Sequence, residues 1–237
     1  MHNYLRMNKL TMRCCVCFFF LFLSLGTMAQ DDKKQLRDSL KAATELLAYH
    51  TDSIDLRLRK AAWNLQLGQW DYAKNEYDYV INRDPSNLAA RYYRAFANEK
   101  LKRYNFARLD YEAILMVVPG NFQAQLGLAL LNQRDNHFTE AFDQINALVE
   151  QHPDSAVAYA ARAGIEKERG MGDLAVYDFK EAIKRDPDNS DYHISYVDLL
   201  ITLKRKGEAL DELDKLVKMG VLRGSLLDLY SRARKIK

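Results

Sequence analysis

Residues 84–121 read DPSNLAARYYRAFANEKLKRYNFARLDYEAILMVVPGN, and this stretch decides the fold. It opens on Pro85 with Asn87 two residues later, and closes on Pro119 with Asn121 two residues later. A proline cannot continue the helix before it and pushes its neighbour out of the helical region. Asparagine is a helix N-cap type, whose side chain accepts one of the orphan N–H groups at a helix start. Between the two caps there is room for two helices of roughly 13 residues and a short turn, by ordinary helix and loop lengths. The stretch is therefore one helical hairpin, and its prolines stand 34 residues apart.

The same interval governs most of the chain. Pro85, Pro119, Pro153 and Pro187 follow one another at 34 residues, and they are all the prolines present. A fixed period of this size points to a repeat array before any other architecture. Cap types recur at Ser53, Asn87, Asn121, Ser155 and Asn189. Ala73, Ala107, Ala141, Ala175 and Ala209 recur on the second helix, each followed four residues on by Tyr77, Tyr111, Ile145, Phe179 or Leu213. On the first helix Ala61, Ala95, Ala129 and Ala163 recur, with Val197 in the fifth unit. Small residues there let a partner helix approach closely. Turns are expected near Gly68, Lys102, Asn136, Gly170 and Lys206. One hairpin cannot bury its apolar face alone, so neighbours must stack. Residues 33–50, with Leu36, Leu40, Ala43, Leu46 and Leu47 at helical spacing, read as a lone helix ahead of the array. Ser225 to Arg234 reads as a first helix with no partner after it.

With these positions in register the chain resembles the tetratricopeptide-repeat (TPR) family, whose pattern is W-x2-L-G-x2-Y, then A-x3-F, then P. The second half of the pattern is matched in windows starting at Ile54, Leu88, Phe122, Ala156 and Ser190. The first half departs. Arg57, Arg91, Gln125, Tyr159 and His193 stand at the tryptophan position, and Asn64, Asn98, Asn132, Glu166 and Leu200 at the tyrosine position. The resemblance implies an all-α fold, an α-α superhelix of five hairpins with terminal capping helices. The expected division is 1–29 signal peptide, 30–53 capping helix, repeats at 54–87, 88–121, 122–155, 156–189 and 190–223, and 224–237 a closing helix.

The resemblance also implies where a partner sits. In this family the first helices line a concave face, and ligand contacts come mainly from the second, fifth, ninth, twelfth and thirteenth repeat positions. The fifth and ninth here are Leu58 and Ala62, Tyr92 and Phe96, Leu126 and Leu130, Ala160 and Gly164, Ile194 and Asp198. The candidate groove is Leu58, Tyr92, Tyr93, Phe96, Leu126 and Leu130, rimmed by Glu99, Lys100, Gln133 and Arg134. An apolar centre with a polar rim is how partner surfaces are built. The competing reading is that the leucines are packing between repeats. A carboxylate clamp is not expected, since Leu58, Ala62, Tyr93, Gln123 and Gly127 stand where it would be.

At the other extreme of the chain, residues 1–29 lack any acidic side chain, carry Arg6, Lys9 and Arg13, run apolar from Cys14 to Leu25 and end on the small residues Thr27 and Ala29. This is the pattern of a signal peptide cleaved before Gln30. The apolar run falls short of the roughly 20 residues that a spanning helix needs. Those three basic residues account for the net charge of +3, so the remainder is formally neutral. A general nucleic-acid or anionic-membrane binder needs a basic excess. Cys14, Cys15 and Cys17 also lie in this segment, which leaves the remainder without a thiol. They precede most of the apolar run instead of following it, so no lipoprotein is expected.

Chemistry is sparse. His50, His137, His152 and His193 have no i, i+4 partner to share a metal and read as surface residues. Gly170 and Gly172 flank a turn and follow no strand. Asp211, Glu212 and Asp214 read as solvated carboxylates, and Lys204, Arg205 and Lys206 as a turn. No catalytic residue, cofactor or metal is expected. One pattern inside the repeat stands out: bases at the seventh position, Lys60, Arg94 and Arg162, have acids sixteen residues later, Glu76, Asp110 and Asp178. Where the base becomes Leu128 the acid becomes Gln144; Tyr196 with Glu212 breaks the rule. In an antiparallel hairpin these sites fall at one height, so partly buried ion pairs are expected.

The sequence thus describes an exported, non-catalytic adaptor of the cell envelope, periplasmic in first place, holding a protein or peptide in its groove. A permanent structural subunit and a polysaccharide-binding or processing protein are the rivals. N-terminal sequencing of the protein from envelope fractions should find Gln30 first; an intact Met1, Met7 or Met12 would overturn the export reading.

Overall fold

The computed structural model describes residues 30–236, so the signal-peptide reading lies outside the described residues. These form α-helices with one short 3-10 turn: α1 Gln30–Tyr49, α2 Ile54–Gln66, α3 Trp70–Arg83, α4 Leu88–Lys100, α5 Tyr104–Val117, α6 Phe122–Arg134, α7 Phe138–Gln151, α8 Ala156–Glu168, α9 Gly172–Arg185, α10 Ser190–Thr202, α11 Lys206–Lys218, the 3-10 turn Arg223–Leu226, and α12 Leu227–Arg234. Five first helices start on the expected caps. Ser53 Oγ accepts from the Leu56 N–H at 3.3 Å, Asn87 from Ala90 at 2.9 Å, Asn121 from Ala124 at 2.9 Å, Ser155 from Ala158 at 3.2 Å and Asn189 from Asp191 at 3.2 Å.

Each hairpin turn is made by one residue in the left-handed region: Gly68, Lys102, Asn136, Gly170 and Lys204, with φ between 58° and 74°. The last of these corrects the expected turn at Lys206, which is the first residue of α11. After the left-handed residue the chain bonds back to the helix it has left, as in Gln69 N–H to Asn64 O at 2.8 Å and Arg205 N–H to Leu200 O at 2.9 Å. That bond satisfies a carbonyl stranded by the helix end. Only glycine adopts this conformation freely, so Lys102 and Lys204 hold it against a cost of about 1 kcal/mol each.

The described chain forms two compact units, one ending at Leu101 and the other beginning at Lys102. In the first, α2 packs on α1 and α3, and α3 on α4. Its core is Ala61, Leu65, Ala73, Tyr77, Val80, Ile81, Ala90 and Ala97. In the second, each helix from α5 to α12 packs on the next. One cluster there gathers Leu126, Ala129, Ile145, Leu148, Val149, Ala158 and Ile165. Another runs from Ala163 to Ala233 and includes Phe179, Tyr196, Leu213, Leu226 and Tyr230. The recurrent alanines of both helices are fully buried in every repeat that has them. Gly127 answers a local need of the same kind, because a Cβ there would stand 2.6 Å from the Tyr111 ring.

A carboxylate recurs on the second helix, and it is buried: Glu76, Asp110, Asp178 and Glu212. The expected pairs of repeats one and four are formed as drawn. Lys60 Nζ meets Glu76 Oε1 at 2.7 Å, with Arg57 Nη1 on its other oxygen at 2.9 Å. Arg162 holds Asp178 with two bonds, Nη2 to Oδ1 at 2.9 Å and Nε to Oδ2 at 2.5 Å. Arg94 reaches Asp78 of the preceding hairpin at 2.8 Å. In repeat three Gln144 accepts from Asn132 at 2.9 Å, a neutral bond in place of the ion pair.

Repeat five corrects two expectations. His193 and Glu212, read as surface groups, are buried and bonded to each other through Nδ1. Tyr196 supplies no base at the seventh position, so His193 takes that part from the fourth. Its separation from Glu212 is the 19 residues that separate Arg57 from Glu76. The fourth position has a second duty. Arg91 donates to Pro85 O at 3.1 Å, Gln125 to Pro119 O at 3.1 Å, and His193 Nε2 meets Pro187 O at 3.0 Å. Arg57 donates likewise to Thr51 O at 2.9 Å. In repeat four Tyr159 cannot reach, and Arg185 does so at 2.8 Å while lying 4.0 Å over the Tyr159 ring. Polar residues therefore replace the family's tryptophan because they satisfy the carbonyl of the inter-repeat turn.

Among the described buried side chains with an unanswered oxygen, Asn98, Gln125, Gln133 and Glu166, only Glu166 is ionisable. It stands where earlier repeats have asparagine, and its Oε2 has no hydrogen-bond partner. Burial, then the neighbouring Asp178 charge, push its carboxyl up to about 7. A folded-state value above the ordinary 4.5 means the folded protein binds this proton more tightly than the unfolded chain does. Stability is thus highest below the ordinary value and falls as pH rises towards 7. Melting measured at pH 5 and pH 8 should show E166Q stabilising the protein at pH 8, with the gap shrinking at pH 5; an equal gap would remove Glu166 from the pH dependence. Separately, Arg162→Met should strand Asp178 and cost about 3 to 5 kcal/mol, and adding Asp178→Leu should recover much of the loss in a double-mutant cycle.

Candidate partner-binding face

The first unit holds Leu58, Tyr92, Tyr93, Phe96, Glu99 and Lys100. The caps at Ser53 and Asn87 fix the phase of α2 and α4, and Ala90, Ala95 and Ala97 turn the buried side of α4 inward. This leaves three rings half-buried on one helix. Tyr93 stacks on Tyr77 at 6.0 Å, with its plane 19° away, and Tyr92 meets Tyr93 edge-on at 5.4 Å. Phe96 meets Trp70 edge-on at 6.0 Å, and the Lys100 ammonium lies 5.0 Å from the Phe96 ring. Leu58 packs half-buried against the same core. Burial, then Tyr93 and Glu99, raise the Tyr92 hydroxyl well above its ordinary value, so it stays neutral.

The second unit holds Leu126, Leu130, Gln133 and Arg134. Leu126 is only 7% exposed, covered within the cluster that includes Ala158 and Tyr159. Leu130 is half-buried against that cluster, and Arg134 is exposed. Gln133 is buried and donates to Glu168 at 3.0 Å. Leu126 is therefore taken up by packing, and Gln133 is held by Glu168 through its amide nitrogen. In repeat four the same helix positions carry Ala160 and Gly164, and a Cβ added at Gly164 would meet nothing within 4 Å. The face is low and open there.

One constellation at these positions was not foreseen. Asp198, at the ninth position of repeat five, accepts from Lys167 of α8 and from Arg232 of α12 at 2.6 Å. Burial would raise its carboxyl, but these bonds and charges outweigh it and hold it below the ordinary value. The 34-residue interval from Asp198 to Arg232 was visible in the sequence and marks both as ninth-position residues. Among the described residues no group of three or more His, Cys, Asp and Glu could hold a metal ion, and no helix is long and apolar enough to cross a membrane.

Known proteins place this architecture. The model of the protein kinase G tetratricopeptide repeat matches residues 23–185. No curated protein matches the chain. Among solved structures, a tetratricopeptide-repeat protein from Parabacteroides merdae ATCC 43184 is similar over 87% of this chain and 80% of its own, with TM-score 0.74 and 22% identity. A thermophilic TPR protein of Thermus thermophilus is similar over 76% of this chain and 98% of its own, with TM-score 0.64 and 19% identity. MamA from Desulfovibrio magneticus RS-1 is similar over 70% and 94%, with TM-score 0.56 and 16% identity. At these identities the structures speak for the fold alone. The family model covers more than half of the chain and agrees with the 34-residue frame, its caps and its paired alanines: this chain belongs to the tetratricopeptide-repeat family.

Proposed function

We propose that the protein is a non-catalytic adaptor that holds a protein or peptide partner against the first helices of its repeats. The TPR fold is consistent with an interaction scaffold, and proteins of this kind are generally non-enzymatic. The observation that carries the finer reading is the face of α4, where Tyr92, Tyr93 and Phe96 present three half-buried rings beside Lys100. Rings held this way are pre-ordered by their neighbours and keep surface to offer, which is the profile of an interface anchor. The open floor at Ala160 and Gly164 supports a second contact of the same kind in the other unit. The working place of the adaptor is the cell envelope, with the periplasm first, on the charge and apolar pattern of residues 1–29. A formally neutral remainder supports a protein partner over a nucleic acid.

Crosslinking in the native cell followed by mass spectrometry should identify the partner. Replacing both Tyr92 and Phe96 by Ala should weaken its binding by roughly tenfold or more, as truncated aromatic anchors do, with helicity nearly unchanged. Gly164→Trp should weaken it as well, since the new ring fills open space without disturbing the core. If the double variant unfolds, the rings are core; if both variants bind as the wild type does, the partner sits elsewhere.

A further inference from the structure

The repeat supplies its own internal comparison. Four outward positions on each second helix, the nineteenth, twenty-second, twenty-ninth and thirtieth, hold Tyr72, Asn75, Asn82 and Arg83 on α3. They hold Glu140, Asp143, Glu150 and Gln151 on α7, and Glu208, Asp211, Lys218 and Met219 on α11. On α9 the run starts apolar with Leu174 and Tyr177 but ends on Lys184 and Arg185. On α5 alone all four are apolar: Phe106, Leu109, Met116 and Val117. They are also exposed, by 62%, 62%, 79% and 67%.

We infer that the outer face of α5 is a homodimer interface, on which a second copy of this chain packs its own α5 antiparallel across Ala113. The stripe is self-complementary end to end. Phe106 and Leu109 lie on one side of Ala113 and Met116 and Val117 on the other, so a two-fold crossing there sets the aromatic end of each copy on the thioether end of its partner. Sulfur against a ring edge is a favourable contact, and alanine at the crossing lets the two backbones approach. A two-fold axis demands this kind of self-matching, whereas an unrelated partner does not. The area fits as well. At these exposures the four side chains offer about 500 Å2 per copy, or on the order of 1,000 Å2 across the pair, which reaches the threshold for a biological interface. A contiguous patch of several hundred Å2 equals the largest that a typical monomer exposes, and such patches are often functional. The next outward helix carries Glu140, Asp143 and Glu150, all exposed, which disfavours an anionic bilayer as the occupant.

Light scattering on the protein purified from its native host, over a wide range of concentrations, reads the oligomeric state. The wild type should reach the mass of a dimer, and the double substitution Leu109→Glu with Met116→Glu should be a monomer of unchanged helicity. Ala113→Phe separates a specific crossing from plain stickiness. It adds apolar surface yet keeps the backbones apart, so it should weaken the dimer by roughly tenfold or more. A wild type that stays monomeric throughout, or an Ala113→Phe variant that dimerises as tightly as the wild type, would overturn the inference. So would a monomer that binds neutral phosphatidylcholine vesicles through Leu109 and Met116, since the stripe would then belong to a membrane.

Discussion

The distance at which the two helices of a hairpin can approach sets everything else in this chain. Alanine at the eighth position of the first helix and at the twentieth of the repeat, both fully buried, brings the backbones together. The larger residue four positions on, Tyr77 or Tyr111 or Ile145 or Phe179 or Leu213, then projects past its own hairpin to the next first helix. Tyr77 shows the consequence by stacking on Tyr93, and Tyr111 by requiring a glycine at position 127. A larger side chain at either alanine would part the helices and withdraw the ring from its neighbour. Intra-repeat and inter-repeat packing are thus one interaction seen from two sides.

Polar groups in the same space follow a rule of their own. A second-helix carboxylate is buried where it meets the first helix, and some donor must answer it. Lys60 with Arg57, Arg162, and His193 are three solutions to one geometric demand, and the Asn132–Gln144 bond meets it without charge. The carbonyl of each inter-repeat turn makes a second demand, met from the fourth position or, in repeat four, by Arg185. The first half of the family pattern departs in this chain for these reasons. At the tryptophan position a hydrogen-bonding side chain stands in four repeats, Arg57, Arg91, Gln125 and His193, and only Tyr159 keeps a ring built for packing.

The period, the caps, the paired alanines and two ion pairs could all be read from residues, because each depends on spacing within one hairpin. What could not be read depends on how deep a site lies once neighbours have stacked. His193 and Glu212 look like solvated groups in isolation, and only alignment with Arg57 and Glu76 four repeats earlier reveals the shared 19-residue separation. The candidate face divides the same way. Tyr92 and Phe96 remain half-buried, but Leu126 is covered by the cluster of the following hairpin, although Leu58 at the same repeat position is not. The meeting of Lys167 and Arg232 at Asp198 is not legible within one hairpin because it joins three separate first helices.

Glu166 bears on how such an array comes apart. When repeats touch only their neighbours, stability is a sum of local contributions and unfolding can begin at the weakest. An ionised carboxylate with one oxygen unanswered lowers the contribution of the fourth hairpin above neutral pH, while its neighbours keep theirs. Above neutral pH, amide exchange in α8 and α9 should then show a sub-global opening of lower free energy than in the neighbouring hairpins. As the medium acidifies and the proton returns, that seam closes and the unit behaves as a single cooperative block. One proton on one side chain thus bears on how firmly the fourth hairpin holds to its neighbours.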